Sequence, residues 1–209
     1  MVSVALLIFT IVLAFSFIIY LFCKRLIYKL NKRVLPRNLA VIKNDKYLAA
    51  FDKLDEETKR AKIVLPFFQV LGYNTYDENE FRIFSKRQTF LPDYITKKWE
   101  NGHLYKRSMY IKYENFSEKA VNLKTKTYND DRINGGNIDE MMNKTYFSGE
   151  YYVLTNGYLF LFFDKNYVFG SKKFKFCFNL KNYTKSDIAQ LAYYTKQYMF
   201  LQMEDVYKA

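Results

Sequence analysis

Residues 2–22 carry no charged side chain, and that single run limits what the rest of the chain can fold into. Its 21 residues, Val2 to Phe22, come close to the roughly 20 that a helix needs to cross a hydrocarbon core of about 30 Å. A buried helix of a soluble protein seldom runs so far without a polar face. A cleaved secretory signal would carry Lys or Arg before its apolar run and a small-x-small site after it, and the sequence has neither. Residues 1–23 therefore read as an uncleaved transmembrane anchor.

Lys24, Arg25, Lys29, Lys32, Arg33 and Arg37 follow with no acid among them. Positive charge beside a span is retained on the cytoplasmic side. The expected arrangement is single-pass in the cell membrane, N-terminus outside and the remainder cytoplasmic. The same basic juxtamembrane segment, 24–37, is suited to anionic lipid headgroups. Residues 38–209 are then left for one α/β domain, long enough for a core of its own. The net charge is +12, of which the juxtamembrane segment supplies half, so the domain is moderately basic. That balance permits nucleic acid binding without requiring it.

Two cysteines, Cys23 and Cys177, form neither a disulfide framework nor a metal spacing, which suits a reducing compartment. His103 is the single histidine and sits beside Asn101-Gly102 in an expected loop, so zinc-hydrolase and Ser-His-Asp chemistry have little to build on.

The spacing of Ala61, Val64, Leu65, Phe68 and Leu71 predicts a helix over Asp55 to Leu71, with acids at its N-terminal end, Pro66 bending it and Gly72 ending it. Strands are expected over Phe81 to Phe84, Phe90 to Ile95 and Leu104 to Tyr113, the last with alternating sides. Asn129 to Asn137 reads as a loop and Ile138 to Tyr146 as a short helix. Tyr151 to Leu154 and Tyr158 to Phe163 flank Thr155-Asn156-Gly157, a tight hairpin signal. A further strand is expected over Phe174 to Leu180. Thr184 and Asp187 make a capping box for a C-terminal helix running to about residue 206. The order suits a mixed central sheet flanked by helices.

Four stretches carry a resemblance. They are ETKRAKIVLPFFQVLGY (Glu57 to Tyr73), LPDYI (Leu91 to Ile95), MYIKYENF (Met109 to Phe116) and YYVLTNGYLFLFF (Tyr151 to Phe163). Together they resemble the N-terminal nuclease domain of type I restriction enzyme R subunits, a branch of the PD-(D/E)-x-K nuclease superfamily. The match runs from Glu57 to Asp164, and the Thr-Asn-Gly hairpin following the first helix is its most specific part. The resemblance implies a restriction-endonuclease-like fold and Mg²⁺-assisted phosphodiester hydrolysis, in which carboxylates hold the ion and a lysine stabilises developing charge. Asp93 takes the place of the metal-binding Asp, and Glu57 (or Glu56) that of the helix acid.

One motif departs from the family. Where the family has Glu-x-Lys, this chain has Lys112-Tyr113-Glu114, with the two charges exchanged. Both side chains share a strand face, but their places lie about 6.5–7 Å apart, which is large against the roughly 2.0–2.1 Å ligand distance of Mg²⁺. The family's glutamine also has no counterpart, its place being held by Met142. The expectation is a membrane-anchored, catalytically degenerate nuclease fold that binds DNA or RNA or a cytoplasmic protein, with defence against foreign DNA suggested by the resemblance alone. One alternative is a membrane-anchored Mg²⁺-dependent DNA endonuclease with Asp93 and Glu114 as ligands and Lys112 as charge stabiliser. The other is a membrane scaffold that recruits a cytoplasmic protein.

Overall fold

The computed structural model describes residues 2–84, 92–96, 99–100, 103–104, 109–128, 151–164 and 173–203. It is an α/β structure built on a mixed sheet, with a long N-terminal helix.

That helix, α1 (Val2–Lys43), has 42 residues and is about 63 Å long at 1.5 Å per residue. Its first half has the length and composition to cross a membrane, and from Leu6 to Phe22 its large apolar side chains lie exposed. Past Phe22 the helix changes character without a break. Tyr28, Asn31, Leu35, Leu39 and Ile42 fall at spacings of three and four, so they share one face. Leu35, Leu39 and Ile42 are buried in the main core, and Tyr28 packs against it. The basic residues Arg25, Lys29, Lys32, Arg33 and Arg37 are exposed. The division expected after residue 37 thus falls inside one continuous helix whose far half belongs to the core.

A short turn follows, with α2 (Lys46–Ala49) capped by Asp45 and a 3₁₀ turn over Phe51–Lys53. The expected helix over Asp55 to Leu71 is present in three parts: α3 (Glu56–Lys59), a π-turn (Arg60–Val64) and α4 (Leu65–Val70). Asp55 caps it through the Thr58 amide at 2.8 Å. Pro66 explains the wide turn. It has no N–H, and its ring crowds the preceding turn, so the Leu65 N–H reaches back to the Arg60 carbonyl instead. Gly72 ends the helix at φ +92°.

The strands are β1 (Phe81–Ile83), β2 (Tyr94–Thr96), β3 (Trp99–Glu100), β4 (His103–Leu104), β5 (Met109–Tyr113), β6 (Val121–Asn122), β7 (Thr127–Tyr128), β8 (Tyr151–Thr155), β9 (Leu159–Asp164) and β10 (Phe176–Asn179). Six form one sheet in the order β1-β2-β5-β8-β9-β10. β5 and β8 run parallel, from Met109 opposite Tyr151 to Tyr113 opposite Thr155, and the other pairs are antiparallel. His103 sits in a two-residue strand paired with β3, not in the expected loop. The expected loop over 129–137, the helix over 138–146 with Met142, and residues 90–91 of the second strand lie outside the described residues.

Two cores sandwich the sheet. On one face Met109, Ile111, Val153, Phe160, Phe162 and Phe178 meet the helices, and the Phe67 ring stacks on Phe160 at 3.8 Å between centroids. On the other face Tyr110, Tyr152, Leu161 and Phe163 meet Phe116 and Tyr128, so among the described residues the β6–β7 hairpin covers this side. The capping box at Thr184 and Asp187 starts α5 (Lys185–Leu191) as expected. The single C-terminal helix does not continue. A 3₁₀ turn at Ala192–Tyr194 and an extended Thr195 divide it from α6 (Lys196–Met203). Thr195 spends its hydroxyl on the Ala192 carbonyl at 2.9 Å and accepts from Asn31 of α1 at 2.7 Å, so tertiary contacts hold the break open.

Candidate functional site

Asp93 stands just before β2, which runs antiparallel to β5, and so lies opposite the last residues of β5. Its N–H donates to the Ile111 carbonyl at 2.9 Å, and its Oδ2 accepts from the Tyr113 N–H at 2.8 Å. The other oxygen faces two cations. Arg60 Nη1, from the π-turn, is 3.0 Å from Oδ1, and Lys112 Nζ, from β5, is 3.9 Å from it. Asp93 is 4% exposed, and the Arg60 and Lys112 side chains are 13% and 9% exposed, so these charges depend on each other rather than on water. The Arg60 guanidinium also lies over the Tyr113 ring at 4.5 Å.

Glu114 enters the same cluster from the end of β5, its N–H donating to the Thr155 carbonyl at 2.9 Å. Burial raises its carboxyl pKa above the usual range, and the charges of Asp93 and Glu56 raise it further, while Lys112 and Arg60 oppose the shift. Of the two candidate helix acids, Glu56 is the half-buried one acting on this cluster, and Glu57 faces solvent. Asp93, Lys112 and Glu114 are thus brought together. Arg60 joins them, although no motif pointed to it. Its signal was the four-residue spacing from Glu56, which places both on one helix face.

The arrangement does not suit Mg²⁺. Both Asp93 oxygens already have donors or cations, and among the described residues no three His, Cys, Asp or Glu side chains group closely enough to hold an ion. A lysine and an arginine beside the buried Asp93 carboxylate supply the positive charge that a metal would otherwise bring.

The Thr-Asn-Gly hairpin closes this end of the sheet, and each residue has a task. Thr155 Oγ1 accepts from the Gly157 N–H at 3.0 Å. Asn156 Oδ1 accepts from the Leu159 N–H at 2.9 Å, and its amide donates to the Phe116 carbonyl at 3.0 Å. Gly157 has φ +108°, and a Cβ there would lie 2.9 Å from the Phe51 ring.

Around that tip, cations alternate with aromatic rings. Lys181 lies 4.0 Å from the Tyr158 ring centroid and 4.7 Å from that of Phe51, and Lys59 is 4.4 Å from Phe51 on its own account. Lys46 and Lys62 flank Tyr47, and Lys43 lies over Tyr183. Lys43, Lys46 and Lys62 are exposed. The juxtamembrane candidates Lys24, Arg25, Lys29, Lys32 and Arg33 lie on α1 well away from this ridge, near the end of the apolar run. Comparison of the chain with protein-family models, curated proteins and solved structures found no match.

Proposed function

We propose that this is a single-pass protein of the cell membrane, N-terminus outside, that holds a catalytically silent restriction-endonuclease-like domain in the cytoplasm and binds nucleic acid. The basic-aromatic ridge of Tyr47, Tyr158 and Tyr183 with their lysines carries this reading. The exposed Lys43, Lys46 and Lys62 neutralise phosphates, and the half-buried Tyr47, Tyr158 and Tyr183 rings offer surfaces on which bases stack, while Phe51 supports the tip from the core. The ridge begins at the far end of α1, about 30 Å along the helix from Phe22, clear of the headgroups and open to a large polyanion. The Arg60–Asp93–Lys112 arrangement supports silence, since two cations lie beside the carboxylate where an ion would sit. The topology rests on the positive charges that follow the apolar run, and the fold name on the four resembling stretches.

The test is fluorescence anisotropy of labelled single- and double-stranded DNA and RNA with the full chain in detergent. With three or four phosphate contacts, binding is expected to fall by roughly 40- to 150-fold between roughly 50 and 200 mM salt. The double variant Lys46→Glu, Lys62→Glu is expected to lose at least about tenfold, one order for removal and reversal of two phosphate contacts. No binding at low salt would overturn the reading and favour a protein partner. Mg²⁺- or Mn²⁺-dependent cleavage that vanishes in Asp93→Ala would instead establish an endonuclease with a rearranged site.

A further inference from the structure

Past the apolar run, α1 has three sides. Tyr28, Asn31, Leu35, Leu39 and Ile42 meet the domain. The last helix, α6, runs back along that side, with Thr195 bonded to Asn31 and the Tyr198 ring 6.2 Å from the Tyr28 ring and 5.6 Å from the Lys24 ammonium. Arg25, Lys29, Lys32 and Arg33 take a second side. At 3.6 residues per turn, the third side lies about 120° from the domain. It holds Cys23, Ile27, Leu30, Val34, Arg37 and Val41.

That third side is apolar and open. Leu30, Val34 and Val41 are 48%, 51% and 72% exposed, and Leu26 and Cys23 beside them are exposed as well. Leu30 to Val41 lie about 12–28 Å along α1 past Phe22, beyond the reach of acyl chains around the span. A row of bare apolar side chains on a helix in water marks a surface that a protein partner covers.

The row also selects the partner. Its steps alternate between four and three residues, the 3.5-residue repeat of a coiled coil. Ile27, Val34 and Val41 fall at the a positions, and Cys23, Leu30 and Arg37 at the d positions. β-branched residues at a with leucine at d favour two parallel strands over larger bundles. Two copies anchored in one membrane with the same topology supply that geometry, since their first helices run parallel and in register. Charge agrees with it. Arg25, Lys29 and Lys32 lie off the row, so two copies meet without opposing those cations. Arg37 is the single cation in the row, and one charged residue in such a position costs stability but fixes register.

We propose that the protein is a parallel dimer in which the row from Cys23 to Val41 packs against the same row of a second copy. The direction of pairing rests on the reading of α1 as a span. The contact is isologous and closed, so it stops at two copies. On the nucleic-acid reading above, a dimer carries two basic-aromatic ridges, and a long polyanion gains a second point of attachment.

The test uses the full chain in phosphatidylcholine–phosphatidylglycerol vesicles with Cys177→Ser, which leaves Cys23 as the single thiol. Copper–phenanthroline oxidises the thiols, and disulfide-linked dimer is read on a non-reducing gel. In chains that also carry Cys23→Ser, the thiol is moved to the row with Leu30→Cys or Val34→Cys, or to the basic side with Lys29→Cys or Lys32→Cys. The expected result is linked dimer from Cys23, Leu30→Cys and Val34→Cys, and loss of it from Lys29→Cys and Lys32→Cys. Equal linkage at all five positions would mark random collision and overturn the proposal. Linkage at Cys23 without Leu30→Cys and Val34→Cys would overturn it as well. Alkaline carbonate extraction of the same vesicles reports on the span separately. Retention in the pellet with no linkage at any position overturns the dimer and leaves the span standing, whereas release into the supernatant overturns both the span and the parallel pairing. A second measurement needs no thiol. Leu30→Asp with Val34→Asp changes only side chains exposed on the row. Light scattering in detergent should show the protein mass halved by this double variant, with an unchanged circular dichroism spectrum. An unchanged mass overturns the proposal.

Discussion

Asp93 holds its two neighbouring cations in a buried setting, and the cost of removing it follows from what is left behind. Asp93→Ala would take from Arg60 and Lys112 the buried carboxylate that faces them both and leave the Tyr113 N–H without its acceptor. Breaking a buried pair in this way costs about 3–5 kcal/mol. Urea denaturation of the full chain in detergent, followed by near-ultraviolet circular dichroism, should register that loss, with a smaller one for Asp93→Asn, which keeps an acceptor for Tyr113. An unchanged midpoint in Asp93→Ala would show that the cluster does not stabilise the fold. Glu114 has the opposite sign. Its folded carboxyl titrates above the ordinary 4.5, so the folded state holds its proton more tightly than the unfolded chain does. Stability therefore declines as pH rises from the ordinary value through the folded one. Glu114→Gln removes that decline. The variant should match wild type in strong acid and exceed it at pH 7, and thermal melts at both pH values check the difference.

The helix over Asp55 to Leu71 was legible as an element because its apolar residues recur at helical spacing, and its cap, its acids and its closing glycine agree with that pattern. Its π-turn was less so. Pro66 announced a disturbance, but whether the helix bends, breaks or widens depends on where Arg60 and Lys59 find partners, and those partners lie on other elements. The hairpin is the clearer case. Asn156-Gly157 requires a positive φ, and the sequence places that turn without help. What the sequence does not contain is the Phe51 ring packed over the tip. Gly157→Ala meets both a strained φ and a contact of 2.9 Å, so a loss of about 2–4 kcal/mol is expected from strain and overpacking together. The same melt tests it, and reduced nucleic acid binding should accompany it, since Phe51 and Tyr158 shift together.

Across the whole molecule, α1 joins the span to the core. Removing residues 2–22 leaves the seam from Tyr28 to Ile42 intact, and that shortened chain should fold and lose its need for detergent. Removing residues 1–37 deletes Tyr28, Asn31 and Leu35 as well. Leu35 is 2% exposed in the core, and its loss alone should cost roughly 2–5 kcal/mol, with about 1 kcal/mol more for each lost hydrogen bond. Size-exclusion chromatography and melting temperatures of the two truncations compare them directly. Equal stability would show that the seam contributes nothing.

The sequence by itself determined the elements whose signals are local. An uncharged run of membrane length, a 3.6-residue apolar period, an Asn-Gly turn and a Thr–Asp capping box each act within a few residues of themselves. The α1 seam is written in its spacing as well, and it runs on past the basic segment that ends at Arg37. Tertiary structure alone decided which face of the sheet the helices cover, that α6 turns back along α1, and that Arg60 meets Asp93. Those outcomes depend on groups that are distant in the chain and close in space. A buried carboxylate takes whatever cation the fold brings within reach, and no spacing along the sequence records that distance.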